Sequence, residues 1–197
     1  MDGGICFNEW LMREGYLTLG ATPTKPTAIS RVPIDWSRTR AWGDGGYYGR
    51  LFMNVRGREP AGTIDPGDYE RVRSDLIAGI EAIADPAGRN IGSKAYRPED
   101  IYRRVTGVAP DLIVYFGDLD WRSVGAVGTG GIHTFENDTG PDEANHDWYG
   151  IFVLSTAGAP APLRGALPDV SIYDVAPTLL HLLGQPVPEG LAGRPLV

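Results

Sequence analysis

The order of elements along the chain predicts an α/β layered fold, and three observations carry that reading. Two stretches, 69–83 and 174–183, repeat apolar residues at helical spacing. Two short apolar runs, 111–116 and 151–154, are bounded by turn residues as buried strands are. The 27 glycines and 16 prolines among 197 residues predict many turns and long loops between short regular elements. No repeat, low-complexity tract or linker divides the chain, so one domain, or part of one, is expected over residues 1–197.

Taken in order, the first element predicted is a helix after Phe7, with Asn8 as its N-cap, Trp10, Leu11, Tyr16 and Leu17 as its apolar groups, and Gly15 at its C-terminal end. No strand is predicted ahead of it. Pro23, Pro26 and Pro33 mark an extended connector. Leu51–Val55 reads as a strand. Asp65 and Pro66 then open the clearest helix, whose face is Tyr69, Val72, Leu76, Ile80 and Ile83, and Asp85-Pro86 closes it. After the strand at Asp111–Phe116 a polar loop is expected over 117–149, then a buried strand at Ile151–Leu154. The last helix is predicted from Asp174 as N-cap to Gly184.

Composition excludes several classes of function. Hydrophobic residues make up 42% and charged residues 22%, as in an ordinary globular protein. The formal charge of −7, with no basic stripe, argues against non-specific nucleic-acid binding. Cys6 is the only cysteine, so neither an internal disulfide nor a cysteine-rich zinc cluster can form. No run approaches the length and apolarity of a membrane span, and the N-terminus lacks the pattern of a signal peptide. The compartment stays open, with the cytoplasm favoured.

Chemistry concentrates in FENDTGPDEANHDWYGIF, residues 135–152. Glu136, Asn137, Asp138, Asp142, Glu143, Asn145, His146 and Asp147 gather oxygen and imidazole donors suited to a divalent ion. A solvated acidic loop held by Asx turns would have the same composition. The spacing fits neither a calcium-binding EF-hand loop nor a zinc-protease HExxH pair. Of the three histidines, His146 is the ligand candidate. His133 reads as a strand-edge side chain and His181 as a packed helix residue. Arg56, Arg58 and Glu59 read as a structural ion-paired turn ahead of a phosphate-binding one. There is no GxSxG elbow, no Walker loop and no GxGxxG pattern after a strand.

Several segments together resemble the type I phosphodiesterase and nucleotide pyrophosphatase branch of the alkaline phosphatase superfamily. They are FNEWLMREGYL, DWSRTRAWGDGGYYGRLFMNVRGREPAGTI, the stretch DLIVYFGDLDWRSVGAVGTGGIHTFENDTGPDEANHDWYGIFVLS, and VSIYDVAPTLLHLLGQPVPEGLAGRPL, in that order. The resemblance implies the C-terminal portion of a three-layer α/β/α sandwich around a largely parallel sheet. It implies a hydrolase of phosphorylated small molecules or nucleotides that uses two divalent metals, commonly zinc, and a Thr or Ser nucleophile. The final histidine ligand maps onto His146, with His133 as the fallback. No catalytic residue carries over, because the nucleophile and the other ligands belong to family motifs upstream of the segments matched here. The expectation is therefore a segment inactive alone, completed by an upstream half and prone to self-association through exposed sheet edges. The opposing expectation is a non-catalytic α/β binding or structural module.

Overall fold

A computed structural model describes residues 1–136, 144–155 and 165–196. The chain divides into two compact units, Met1–Trp148 and Tyr149–Val197.

The first unit is built on two sheets. In one, strand β1 (Gly3–Cys6) pairs in parallel with β7 (Trp121–Val124) and antiparallel with β9 (His133–Thr134). In the other, β3 (Ala41–Asp44), β4 (Gly49–Met53), β6 (Leu112–Tyr115) and β5 (Lys94–Tyr96) lie side by side, every pair antiparallel. A short antiparallel pair, β2 (Thr27–Ala28) with β8 (Ala126–Val127), stands beside them. The three-layer sandwich with a largely parallel sheet is therefore overturned. Among the described residues β1 and β7 form the one parallel pair of strands, apart from two isolated parallel bridges at Val55–Ile64 and Arg56–Glu59. The reason is connectivity: β3 and β4 are joined by a four-residue turn, and a tight turn can only return the chain antiparallel.

Helix α1 (Phe7–Arg13) follows β1 directly, so the expectation of a helix with no strand ahead of it was wrong. Phe7, Trp10 and Leu11 turn inward, and Gly15, at φ 76°, ends the turn as expected. The Phe7 ring meets Phe116 edge-on with centroids 5.3 Å apart. It also occupies the space where a side chain at position 43 would project, since a Cβ there would lie 2.6 Å from the ring. Asn8 is no N-cap; its side chain is wholly buried and serves the site described below.

Helix α2 (Tyr69–Glu81) lays Val72, Leu76 and Ile80 on the core, as the periodicity predicts. Pro66–Asp68 makes a preceding 3₁₀ turn, and Asp65 ion-pairs with Arg56 rather than capping the helix. Arg73 of α2 is 2% exposed. It donates to the Asp111 carbonyl at 2.9 and 3.1 Å and pairs with Glu99 of α3 (Pro98–Ile101). The guanidinium holds the Glu99 carboxyl down to about 2.

Asp111 is the polar joint of this layer. Its buried carboxylate accepts from both terminal nitrogens of Arg58 (2.7 and 2.8 Å), from the Met53 N–H (2.6 Å) and from the Tyr69 hydroxyl (2.6 Å). Burial, then this hydrogen bond, pushes the Tyr69 phenol up to about 12. The structural reading of Arg56, Arg58 and Glu59 therefore holds.

The loop expected over 117–149 contains β7, β8 and β9, with all of β7 buried. Its many small and polar residues hide that pattern.

In the second unit, helix α4 (Val175–Leu182) follows a 3₁₀ turn at Ile172–Asp174. Ser171, three residues ahead of the predicted cap, is the cap, and Asp174 is its reciprocal partner. Asp174 also accepts from the Arg194 N–H, and the Thr178 hydroxyl oxygen from the Leu196 N–H, which ties the closing segment to the helix. Gly184, at φ 65°, ends the helix as expected. Ile151–Leu154 is not a strand. Ile151 and Val153 are 96% and 82% exposed, and among the described residues of their own unit none pairs with them.

Replacing Asp111 with Ala strands the buried Met53 N–H and the Tyr69 hydroxyl, while half-exposed Arg58 can regain water. Urea denaturation should show a loss of about 2–4 kcal/mol. A loss under about 0.5 kcal/mol, the size of an ordinary surface change, would contradict this role.

Candidate functional site

The site begins with two consecutive polar residues on α1. The Asn8 amide nitrogen donates to the Gly43 carbonyl (2.9 Å) and the Gly125 carbonyl (2.8 Å), and its oxygen accepts from the Gly43 N–H (2.8 Å). The Glu9 carboxylate accepts from the N–H groups of Gly128 (2.6 Å) and Thr129 (3.0 Å). One helical turn thus holds the β3–β4 hairpin and the flanks of β8.

The hairpin turn and the β7–β8 junction meet backbone to backbone. A Cβ at position 45 would stand 2.3 Å from the Gly125 nitrogen, so only glycine permits the approach. Beside this contact opens a cleft of about 610 Å3, walled by Ala28, Gly46, Tyr47, Arg122, Ser123 and Asn145 among others. The Ser123 hydroxyl and the Asn145 carbonyl oxygen are buried and find no hydrogen-bond partner among the described residues. Arg122 is 5% exposed, and its guanidinium donates to the Glu136 carbonyl.

The late loop is fastened to a strained turn. Gly117, Asp118 and Leu119 take φ values of 58°, 55° and 72° in succession, and the last two are not glycine. Left-handed non-glycine residues cost on the order of 1–3 kcal/mol each and persist where surrounding contacts hold them. Those contacts are visible: Asn145 donates to the Leu119 carbonyl (2.7 Å), and the Trp148 indole donates to the Asp118 carboxylate (2.8 Å). His146 lies between these anchors. Its ring sits against Tyr47, with centroids 3.8 Å apart and planes at 72°. The imidazole is exposed next to a residue that lines the cleft.

The other predicted residues fall elsewhere. His133, on β9, places its Nε2 2.8 Å from the Ala84 carbonyl, which makes it structural. It borders a separate cleft of about 380 Å3 with Trp10, Arg13 and Ile83. His181 is exposed on α4, not packed as the apolar sequence around it implied. Glu136 and Asp147 are exposed. Asn137, Asp138, Asp142 and Glu143 lie outside the described residues. Among the described residues no three His, Cys, Asp or Glu side chains gather to hold a metal ion, and no helix is long and apolar enough to cross a membrane.

Sequence reasoning missed Asn8, Ser123 and the Asp118–Trp148 contact. Asn8-Glu9 could have been noticed, because two polar residues interrupt the buried face of a helix that opens on Phe7 and continues to Trp10 and Leu11. Ser123 carries no such signal.

No protein-family model, curated protein or solved structure matches the chain.

Gly45→Ala should push the hairpin turn off Gly125 and destabilise the fold by about 1–3 kcal/mol in urea denaturation. Gly131→Ala, where a new Cβ meets open space, should stay within about 0.5 kcal/mol of wild type. Equal effects would mean that the Gly45–Gly125 approach does not shape the cleft.

Proposed function

We propose that this chain forms part of a metal-dependent phosphoric ester hydrolase of the phosphodiesterase type and supplies His146 as one metal ligand. One observation carries the reading. Two segments that resemble phosphodiesterase motifs, the glycine-rich hairpin and the late loop, are far apart in sequence yet meet at one cleft. There the His146 ring rests on Tyr47, between two anchors that fix the loop. An exposed imidazole on a fastened loop beside a cleft is a suitable ligand, because little order remains to be imposed when an ion binds.

A zinc ion takes about four ligands, and the described residues do not gather such a set. The remainder would come from another polypeptide segment, as the resemblance implies. His146 has a positioning geometry, and the hydrolytic assignment rests on the resemblance.

The test is a zinc titration of the purified chain, followed through the imidazole proton resonances of its three histidines. His146 should respond at the lowest zinc concentration. His133 should stay unmoved, because its Nε2 is already engaged by the Ala84 carbonyl. A response at exposed His181 with none at His146 would sink the proposal.

A further inference from the structure

The segment between α3 and β6 is clamped at its base and open along its length. One buried side chain closes the base: Arg73 pairs with Glu99 at the near end and donates to the Asp111 carbonyl (2.9 and 3.1 Å) at the far end. Compact surface loops whose ends are drawn together are frequently functional. Between those ends residues 101–108 are all exposed, Val108 to 95%, and Gly107 turns the chain at φ 72°. No hydrogen bond or ion pair engages residues 103–108 among the described residues.

This loop reads Arg103-Arg104-Val105-Thr106. In a chain of formal charge −7 an arginine ordinarily finds an acid, as Arg58, Arg73 and Arg89 do. Arg103 and Arg104 have no such partner among the described residues. They stand three and two positions ahead of the exposed Thr106 hydroxyl. That is the charge pattern an arginine-directed protein kinase reads: carboxylates of its cleft take the guanidiniums while the substrate chain lies extended across it.

The structure separates the two places where the sequence offers this pattern. Only Ser74 and Thr106, among the serines and threonines, follow an arginine by three residues. Ser74 lies inside α2, and its hydroxyl accepts from Arg97 (3.2 Å). Arg71 there is paired with Asp68 and Asp75, and Arg73 is 2% exposed. A kinase could take Ser74 only by unwinding the helix. Thr106 is presented with no rearrangement, because its backbone has no regular structure to lose.

We propose that Thr106 is a phosphorylation site for an ATP-dependent, arginine-directed protein kinase. The Thr106 hydroxyl oxygen attacks the γ-phosphorus of ATP, and a P–O bond to Thr106 forms as the bond to the β,γ-bridging oxygen breaks. ADP leaves with that electron pair, and the hydroxyl proton passes to the catalytic aspartate of the kinase. The phosphate carries about −1.5 to −2 charge at neutral pH, so it offsets the two arginines and turns a cationic loop into a neutral one. Neither His146 nor the cleft takes part, so the site stands apart from the metal reading.

The experiment incubates the full folded chain with ATP, magnesium and the catalytic subunit of a cyclic-AMP-dependent protein kinase, and maps phosphate by tandem mass spectrometry. Phosphate should enter at Thr106. Thr106→Ala should abolish that labelling, and Arg103→Ala and Arg104→Ala should each slow it by about tenfold or more, since each removes a charge-assisted contact with the kinase. All three changes fall on exposed positions, so melting temperatures should stay near wild type, which separates a lost site from a lost fold. Three outcomes would overturn the proposal: no phosphate at Thr106 under conditions that fully label a standard arginine-containing peptide, faster labelling of Ser74 than of Thr106, or an unchanged rate in both arginine variants.

Discussion

The Asn8 side chain sits wholly buried between the two sheets, where its amide donates to carbonyls of Gly43 and Gly125 and accepts the N–H of Gly43. Positions 8, 43 and 125 are far apart in sequence, and beside them one pair of backbone hydrogen bonds, Gly46 with Ser123 (2.9 and 3.1 Å), also joins the hairpin to β7. Leaving such buried groups unpaired would cost about 1–3 kcal/mol each, so a single amide removes a penalty that packing alone could not. The close approach of Gly45 to Gly125 lies beside this anchor, and the Gly46–Ser123 backbone pair holds it from the other side. Glu9 extends the same anchor to Gly128 and Thr129. The cleft, Tyr47, and through Tyr47 the seat of His146 all lie downstream of that helix turn.

Much of the local structure was legible in the sequence. The α2 periodicity of Val72, Leu76 and Ile80, the β6 strand and the Gly184 stop are short-range signals, and the folded chain obeys them. Sheet direction was not legible. Parallel and antiparallel strands share one composition, and the choice here was made by a four-residue turn containing Gly45 and Gly46. β7 escaped notice for a related reason. Trp121-Arg122-Ser123-Val124 buries an arginine and a serine, so it lacks the apolar run that marks a core strand. The opposite error occurred at Ile151–Leu154, whose apolar run has no sheet partner among the described residues of its own unit.

The candidate site was legible only in part. His146 stood out because donors cluster around it, but its position depends on Asn145, Trp148 and the left-handed turn at Asp118-Leu119. None of those pairings has a spacing that a sequence can announce. The ring contacts of Tyr115 with Tyr48 (5.7 Å) and Tyr96 (6.0 Å) show the same limit. Tyr48, Tyr96 and Tyr115 become neighbours only through strand register, and register is set by turns and by core packing.

The measurement that bears most directly on this account is the stability of Asn8→Asp as a function of pH. The substituted carboxylate would face two carbonyl oxygens in a buried site, so its folded pKa must rise above the usual carboxylate value of about 3.9. A carboxyl with a raised folded pKa binds its proton more tightly in the native state, so stability falls as pH rises. The deficit against wild type should therefore be smallest near about pH 4 and widen by up to about 1.4 kcal/mol per pH unit toward neutrality. A deficit that stays flat from pH 4 to about 7, or none at all, would mean that the amide of Asn8 does not join the two sheets.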